Sequence, residues 1–322
     1  SVEYEASTRA VCNALNMDLV EIEDWNCCGS TPAHSVSHEL SGALAARNLM
    51  QAAKTGADCV ISPCPSCSSN LKMARHRMQN PAFKAKVDEL LDAPTPANAD
   101  GGADLMETYS VLQAIVENVG VENIASRVTY PLEGIKVVTY YGCLLSRPAH
   151  VAKFDDPENP VSLDNIMKAL GAEVLPFALK TECCGAAMGI PDVNIPGSLS
   201  GRILDTAKAV ARQDVTGSLS GRILATARSF GADAVVTACP LCHMNLDLRQ
   251  RQAARISKKS FFGLPVFYYT QLIALAFGLP KNAMRLDKLA VNPYPLLDKI
   301  AERRKARVSA ELEAMKAAGA AS

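Results

Sequence analysis

One sentence written twice governs what this chain can become. Val235-Val236-Thr237-Ala238-Cys239-Pro240-Leu241-Cys242-His243 runs from an apolar, β-branched strand into a Cys-Pro-x-Cys turn and on to helix-forming residues. Gly56 to Cys67 repeats that order. A shift of 175 residues lays Gly56 on Gly231, Asp58 on Asp233, Cys64 on Cys239, Cys67 on Cys242 and Asn70 on Asn245. A second motif stands upstream of each copy, Cys27-Cys28-Gly29 and Cys183-Cys184-Gly185. The chain is therefore an internal duplication, and thiols are the duplicated feature. Each Cys-Pro-x-Cys pair opens a helix, where free backbone N–H groups and the helix dipole favour thiolate over thiol.

The elements around these motifs alternate. Residues 5–16 predict a helix stopped at Asn16, and Leu19–Ile22 a strand. Glu39–Thr55 predicts a helix ended by Gly56, Cys59–Ser62 a strand, and a helix follows to about Met78. The Pro-, Ala- and Gly-rich stretch 93–104 reads as a linker, with a helix at Leu105–Val119 after it. The second half predicts the strand Ile135–Tyr140 running into Tyr141-Gly142-Cys143, the helix Asn165–Leu170 ended by Gly171, and the strands Glu173–Pro176 and Ala234–Thr237. This β-α-β-α order marks small parallel sheets, so the fold class is α/β with two pseudo-repeated βα domains. The boundaries read as 1–98, a linker and helix at 99–130, a second domain at 131–292 and a C-terminal segment at 293–322. That last segment, charged and Ala-rich from Leu296 to Ala318, reads as an exposed helix suited to docking. Gly197–Leu204 recurs at Gly217–Leu224, which reads as a tandem duplication over 197–224. Removing one twenty-residue copy shortens the gap from the double cysteine to Cys-x-x-Cys from 54 residues to 34, against 35 in the first half.

Charge excludes some partners. Thirty-three basic residues balance thirty-three acidic ones, so no electrostatic case exists for nucleic acid or an anionic membrane. The window Phe261–Leu279 is long enough to span a bilayer, but Gly263, Pro265, Thr270 and Gln271 interrupt it. It divides into a buried strand (Pro265–Tyr269) and a helix (Thr270–Phe277), so no transmembrane segment is expected. Eleven cysteines in 322 residues fall in two tight groups rather than across a disulfide scaffold, which points to a reducing, cytoplasmic compartment.

Grouped soft thiolates suit iron–sulfur clusters or zinc. A zinc ribbon would set its Cys-x-x-Cys units some 15–20 residues apart, far from the separation here. Adjacent cysteines fit two irons of a cluster better than one tetrahedral ion. A thioredoxin-like dithiol remains open for either Cys-Pro-x-Cys pair but leaves the Cys-Cys-Gly motifs unexplained. Cys12 and Cys59 lie in an apolar helix and strand and read as inert core thiols.

The order Cys143, Cys183-Cys184-Gly185, Cys239-x-x-Cys242 resembles the cysteine-rich CCG domain, and its duplication is similar to the catalytic polypeptide of the heterodisulfide reductase family. The likeness covers nearly the whole chain, including Cys183–Asp192 and Pro265–Pro280. The resemblance implies two non-cubane 4Fe–4S clusters. Cys143, Cys183, Cys184, Cys239 and Cys242 would hold one, and Cys27, Cys28, Cys64 and Cys67 the other. It implies cleavage or formation of a disulfide at cluster iron by two one-electron steps, the alternative being a non-catalytic iron–sulfur electron relay of a quinone-linked dehydrogenase. It implies a ferredoxin-like iron–sulfur subunit and a flavin subunit as partners. The chain carries no Gly-rich dinucleotide fingerprint, so no flavin or NAD of its own is expected. One departure stands out. Cys143 precedes Cys183 by 40 residues, but no cysteine stands that far ahead of Cys27, so the first domain is expected to lack its leading strand and fifth ligand. Among nearby histidines, His34, His38 and His150 read as ordinary surface or hydrogen-bonded groups. His243, next to Cys242, is the candidate proton donor to a departing thiolate. Lys180 and Arg147 read as surface charge rather than as contacts to an anionic substrate.

Overall fold

In the computed structural model, residues 1–30, 32–185, 214–256, 258 and 260–320 are described. Helix α1 (Val2–Ala14) ends at Leu15, and Asn16 takes the left-handed conformation the stop requires. Helix α2 (His38–Ala53) starts at Ser37, whose side chain accepts from the backbone N–H groups of Glu39 and Leu40. Strand β1 (Val60–Ser62) runs into helix α3 (Pro65–Arg77), and strand β2 (Thr108–Ser110) lies parallel to β1, pairing Val60 with Thr108. The second half contributes β3 (Lys136–Tyr140), α4 (Ser162–Ala169), β4 (Glu173–Val174), α5 (Asp214–Ser229), β5 (Ala234–Thr237) and α6 (Pro240–Leu248). Strand β6 (Val266–Tyr268) and α7 (Tyr269–Ala276) follow, and α8 (Tyr294–Ala320) closes the chain. Among the described residues, the strands of this half form one parallel sheet in the order β4-β3-β5-β6. All four residues of β5 are buried, as expected of a central strand covered on both faces.

The α/β class and the pseudo-repeat stand as the sequence predicts. Two local expectations fail. Leu19–Ile22 is no strand, although its counterpart β4 is one. The reason is the missing neighbour: β4 bonds to β3, and among the described residues no strand takes that place in the first half. The segment Leu105–Val119 is not one helix either. Thr108-Tyr109-Ser110 leaves it as β2, and Ser110 then caps the short helix Val111–Ala114 by accepting from the Gln113 N–H at 3.1 Å. The linker 93–104 folds back on itself through a bridge between Ala97 and Ala103. The first copy of the tandem repeat, 197–204, lies outside the described residues, and the second falls within α5.

The two halves share a core. Tyr4, Val11, Val111, Leu112 and Ile115 pack in the same apolar cluster as Val137, Val236, Phe267 and Ile273. Tyr4 stacks on Tyr268 with ring centroids 4.1 Å apart and planes 4° from parallel. The Phe261–Leu279 window is the buried pair β6–α7, and among the described residues no helix is long and apolar enough to cross a membrane. Helix α8 is largely exposed, with Leu296, Leu297 and Ile300 packed onto the shared core.

Candidate functional site

Both Cys-Pro-x-Cys turns sit at the C-terminal end of a parallel strand. Cys64 and Cys239 are the N-caps of α3 and α6, with extended backbone, and Pro65 and Pro240 occupy the first helical turn. The second thiols, Cys67 and Cys242, stand in that turn among the unpaired N–H groups. The double-cysteine loops face these helix starts. Gly29 and Gly185 both adopt positive φ, +77° and +80°, and each N–H reaches back to the first sulfur of its motif, Cys27 at 3.5 Å and Cys183 at 3.3 Å. A Cβ on Gly29 would lie 3.0 Å from Leu44 and 3.2 Å from Ala33, so only glycine makes this turn.

The thiols meet in sequence across the molecule. Cys28 interacts with Cys67, Cys67 with Cys64, and Cys64 with Cys239 of the other half, and Pro63 and Pro240, next to Cys64 and Cys239, line one cavity. Cys239 then contacts Cys242, whose sulfur lies 3.5 Å from that of Cys184. Cys143 pairs with Cys183. Donation by Cys67 pulls the Cys28 thiol down to about 6, against its burial. Donation by Cys143 pulls Cys183 down to about 6. The donors Cys67 and Cys143 are pushed up by those same bonds and by burial. Cys28, Cys184, Cys239 and Cys242 are buried, while Cys27 and Cys183 are exposed at the edge.

A soft, all-thiol donor set fits a thiophilic metal or an iron–sulfur cluster. Among the described residues no three His, Cys, Asp or Glu side chains converge on one point, and the thiols instead meet pairwise. Cys12 is apart from this chain of contacts, fully buried on α1 and raised to about 11 by burial.

His243 occupies a different setting from the one its position next to Cys242 suggests. Its ring is buried and stacks on Tyr268 at 4.2 Å, and its Nε2 lies 2.9 Å from the Val266 carbonyl. A carbonyl can only accept, so Nε2 carries the hydrogen, and burial lowers the imidazole to about 4. His34 and His38 pack against each other at 4.7 Å. His150 meets His76 at 5.3 Å on the wall of a polar cavity of about 620 Å³ that Lys72, Arg75 and Lys153 also line. Lys180 is paired with Asp164 at 3.1 Å, and its carbonyl accepts from the N–H groups of Tyr141 and Gly142, which steadies the Cys143 turn. Arg147 is held by Glu158 and the Pro157 carbonyl. A pair of side chains goes unassigned by motif reading. Asn70 and Asn245 bind the double-cysteine loops, and their alignment in the repeat was the available signal.

Duplicated strand–Cys-Pro-x-Cys–helix units, each closed by a Cys-Cys-Gly loop, define a class of paired-thiol α/β proteins. The chain belongs to the CCG cysteine-rich domain family, whose model matches residues 1–72, 137–195 and 207–247. It is 33% identical over 296 residues to the 8-methylmenaquinol:fumarate reductase membrane anchor subunit of Wolinella succinogenes, covering 92% of this chain and 94% of that one. It is 28% identical to the B polypeptide of the ferredoxin/F420H2-dependent CoB-CoM heterodisulfide reductase of Methanosarcina acetivorans, with 92% of both chains covered. It is 31% identical to a protein of Archaeoglobus profundus that is itself named as like the heterodisulfide reductase B polypeptide, over 86% of each chain. A solved structure of a hypothetical protein from Helicobacter pylori shares the fold, with TM-score 0.65 and 12% identity. The match covers 90% of this chain and about half, 49%, of that longer one.

Proposed function

We propose that this chain is an iron–sulfur subunit of a heterodisulfide reductase-type complex, cleaving or forming a disulfide in two one-electron steps. The observation that carries the reading is the closeness of the two thiol sets: Pro63 and Pro240, next to Cys64 and Cys239, line one cavity, and the two cysteines interact. Cys143, Cys183, Cys184, Cys239 and Cys242 would hold one four-iron centre, and Cys27, Cys28, Cys64 and Cys67 the other. Bound there, such centres supply single electrons and an iron able to take up a sulfur ligand. The chain itself supplies the surroundings. Buried Cys28, Cys184, Cys239 and Cys242 keep water from the interior of the site, and exposed Cys27 and Cys183 mark the side a small disulfide reaches. His243 fixes β6 against α6 and transfers no proton in this reading, because Nε2–H is committed to Val266. Electrons arrive from ferredoxin-like and flavin partner chains, with this chain as a peripheral, cytoplasmic subunit.

A second reading has its own support. The Wolinella succinogenes relative belongs to a quinol-linked fumarate reductase, so the same thiols would carry a relay without disulfide chemistry. Iron, zinc and acid-labile sulfide on anaerobically purified protein, followed by disulfide-dependent oxidation of reduced viologen, separate these cases. Roughly eight irons with disulfide turnover support the first reading. The same iron without turnover supports the relay, and zinc without sulfide overturns both.

A further inference from the structure

Each double-cysteine loop is tied to its own Cys-Pro-x-Cys helix by one asparagine, placed three residues after the second cysteine of that turn. The Nδ2–H of Asn70 donates to the Cys28 carbonyl at 2.6 Å, and that of Asn245 donates to the Cys184 carbonyl at 3.2 Å. Serines complete both ties. Ser41 donates to Asn70 Oδ1 at 3.1 Å and lies 3.2 Å from the Gly29 carbonyl, and Ser220 donates to the Cys184 carbonyl at 3.3 Å. Both serines stand in a Leu-Ser-Gly sequence, Leu40-Ser41-Gly42 and Leu219-Ser220-Gly221, on a helix that comes after the double cysteine. Asn70 and Asn245 are buried, 8% and 0% exposed, so each bond works without competition from water.

The two ties differ in what the asparagine amide meets. The Asn245 amide also approaches the Cys184 sulfur at 3.8 Å, and Asn245 Oδ1 has no hydrogen-bond partner. A buried amide that leaves its oxygen unpaired is oriented by what its nitrogen reaches. Hydrogen bonds to ligand sulfur are among the levers that set the potential of an iron–sulfur centre, since they stabilise its more reduced state.

We infer that Asn70 and Asn245 are positioning residues that lock each Cys-Cys-Gly loop against its Cys-Pro-x-Cys helix, and that Asn245 also sets the second centre at a higher potential. The potential half of this inference rests on the iron–sulfur reading; the locking half does not. The test compares Asn70→Leu, Asn245→Leu, and the single-atom deletions Ser41→Ala and Ser220→Ala, with folding checked by circular dichroism. In reduced, iron-free protein, maleimide labelling followed by mass spectrometry reads the exposure of each loop. Asn245→Leu speeds labelling of Cys184 about fivefold and leaves Cys28 unchanged, Asn70→Leu does the reverse, and the serine variants follow with smaller effects. In loaded protein, an anaerobic redox titration followed by electron paramagnetic resonance shows one centre lowered by Asn245→Leu and neither moved by Asn70→Leu. Unchanged labelling, or equal loosening of both loops by either variant, overturns the lock. Should Asn245→Leu fail to fold, Ser220→Ala decides through the same labelling. Equal potentials in wild type and a folded Asn245→Leu overturn the tuning. A wild type without iron removes the proposed function and the tuning together, while the labelling still decides the lock.

Discussion

Gly142→Ala perturbs the site through a single methyl group. Gly142 precedes Cys143 and sits at φ +72°, and a Cβ built there would stand 3.1 Å from the Cys242 sulfur. Two costs follow. A non-glycine residue in left-handed backbone loses about 1–2 kcal/mol. The contact with sulfur is too close, and crowding of this kind in a packed interior adds about 1–3 kcal/mol. The structure supplies its own controls, because Gly56 and Gly231 have nearly the same φ, +73° and +77°, with nothing within 4 Å of the added carbon. Gly56→Ala and Gly231→Ala therefore report the backbone cost alone. Urea unfolding of all three variants should place Gly142→Ala about 1–3 kcal/mol below the controls. Its metal content should also fall relative to theirs, since Cys242 must yield. Equal destabilisation with equal metal content in all three would refute the claim that this glycine makes room for a ligand thiol.

Other predictions use different parts of the molecule. Burial raises Asp247 from 3.8 to about 6, although the Ala290 and Val291 N–H groups hold its carboxylate and draw it down. A raised folded value means its contribution is present below about pH 4 and lost as pH rises through about 6. Asp247→Asn should flatten the decline in stability between those limits by about 3 kcal/mol, read from denaturation midpoints against pH. Cys12→Ala should leave metal and sulfide content unchanged while Cys242→Ala lowers both, and an equal loss would place Cys12 in the site. Tyr4→Phe removes the hydrogen bond from the Tyr4 hydroxyl to the Ala238 carbonyl at 3.0 Å and should cost about 1–3 kcal/mol in thermal or urea unfolding. Both halves should still unfold in one transition, and a second transition would contradict the shared core.

The local structure around the thiols was legible because its residues are close in sequence. Cys64-Pro65-x-Cys67 and Cys239-Pro240-x-Cys242 carry their strand, turn and helix within a dozen residues, and β5 runs from Ala234 to Thr237 as its apolar run suggests. What failed depended on neighbours. Leu19–Ile22 alternates like a strand, but a strand is completed by the ladder beside it, and among the described residues that ladder is missing. Thr108–Ser110 lies in a stretch with helical spacing, and pairing with β1 decides otherwise. Of His243 the sequence showed only the position next to Cys242, and the Val266 carbonyl and the Tyr268 ring that hold it belong to a segment more than twenty residues away. The Asn70 and Asn245 alignment was visible in the repeat, but the carbonyls they bind belong to loops far away in sequence.

The closeness of the Cys64 and Cys239 turns follows from how the duplicated units are joined. Each unit alone ends a strand with two thiols at a helix start, which suits one centre. Parallel strands gather such ends on one side of their sheet. A flexible tether would leave two such sides at an arbitrary distance. Here α1, an element of the first half, is buried against the second, with Tyr4 stacked on Tyr268 and Tyr268 stacked in turn on His243 beside Cys242. The Tyr4 hydroxyl binds the Ala238 carbonyl, one residue before Cys239. The packing that stabilises the molecule thus fixes the relation between its two thiol sets. Separating them would require breaking buried aromatic stacking and a buried hydrogen bond, each worth about 1 kcal/mol, together with the apolar contacts around them. A rigid spacing of this kind is what two one-electron centres acting on a single bond would need, and a relay would use it equally well.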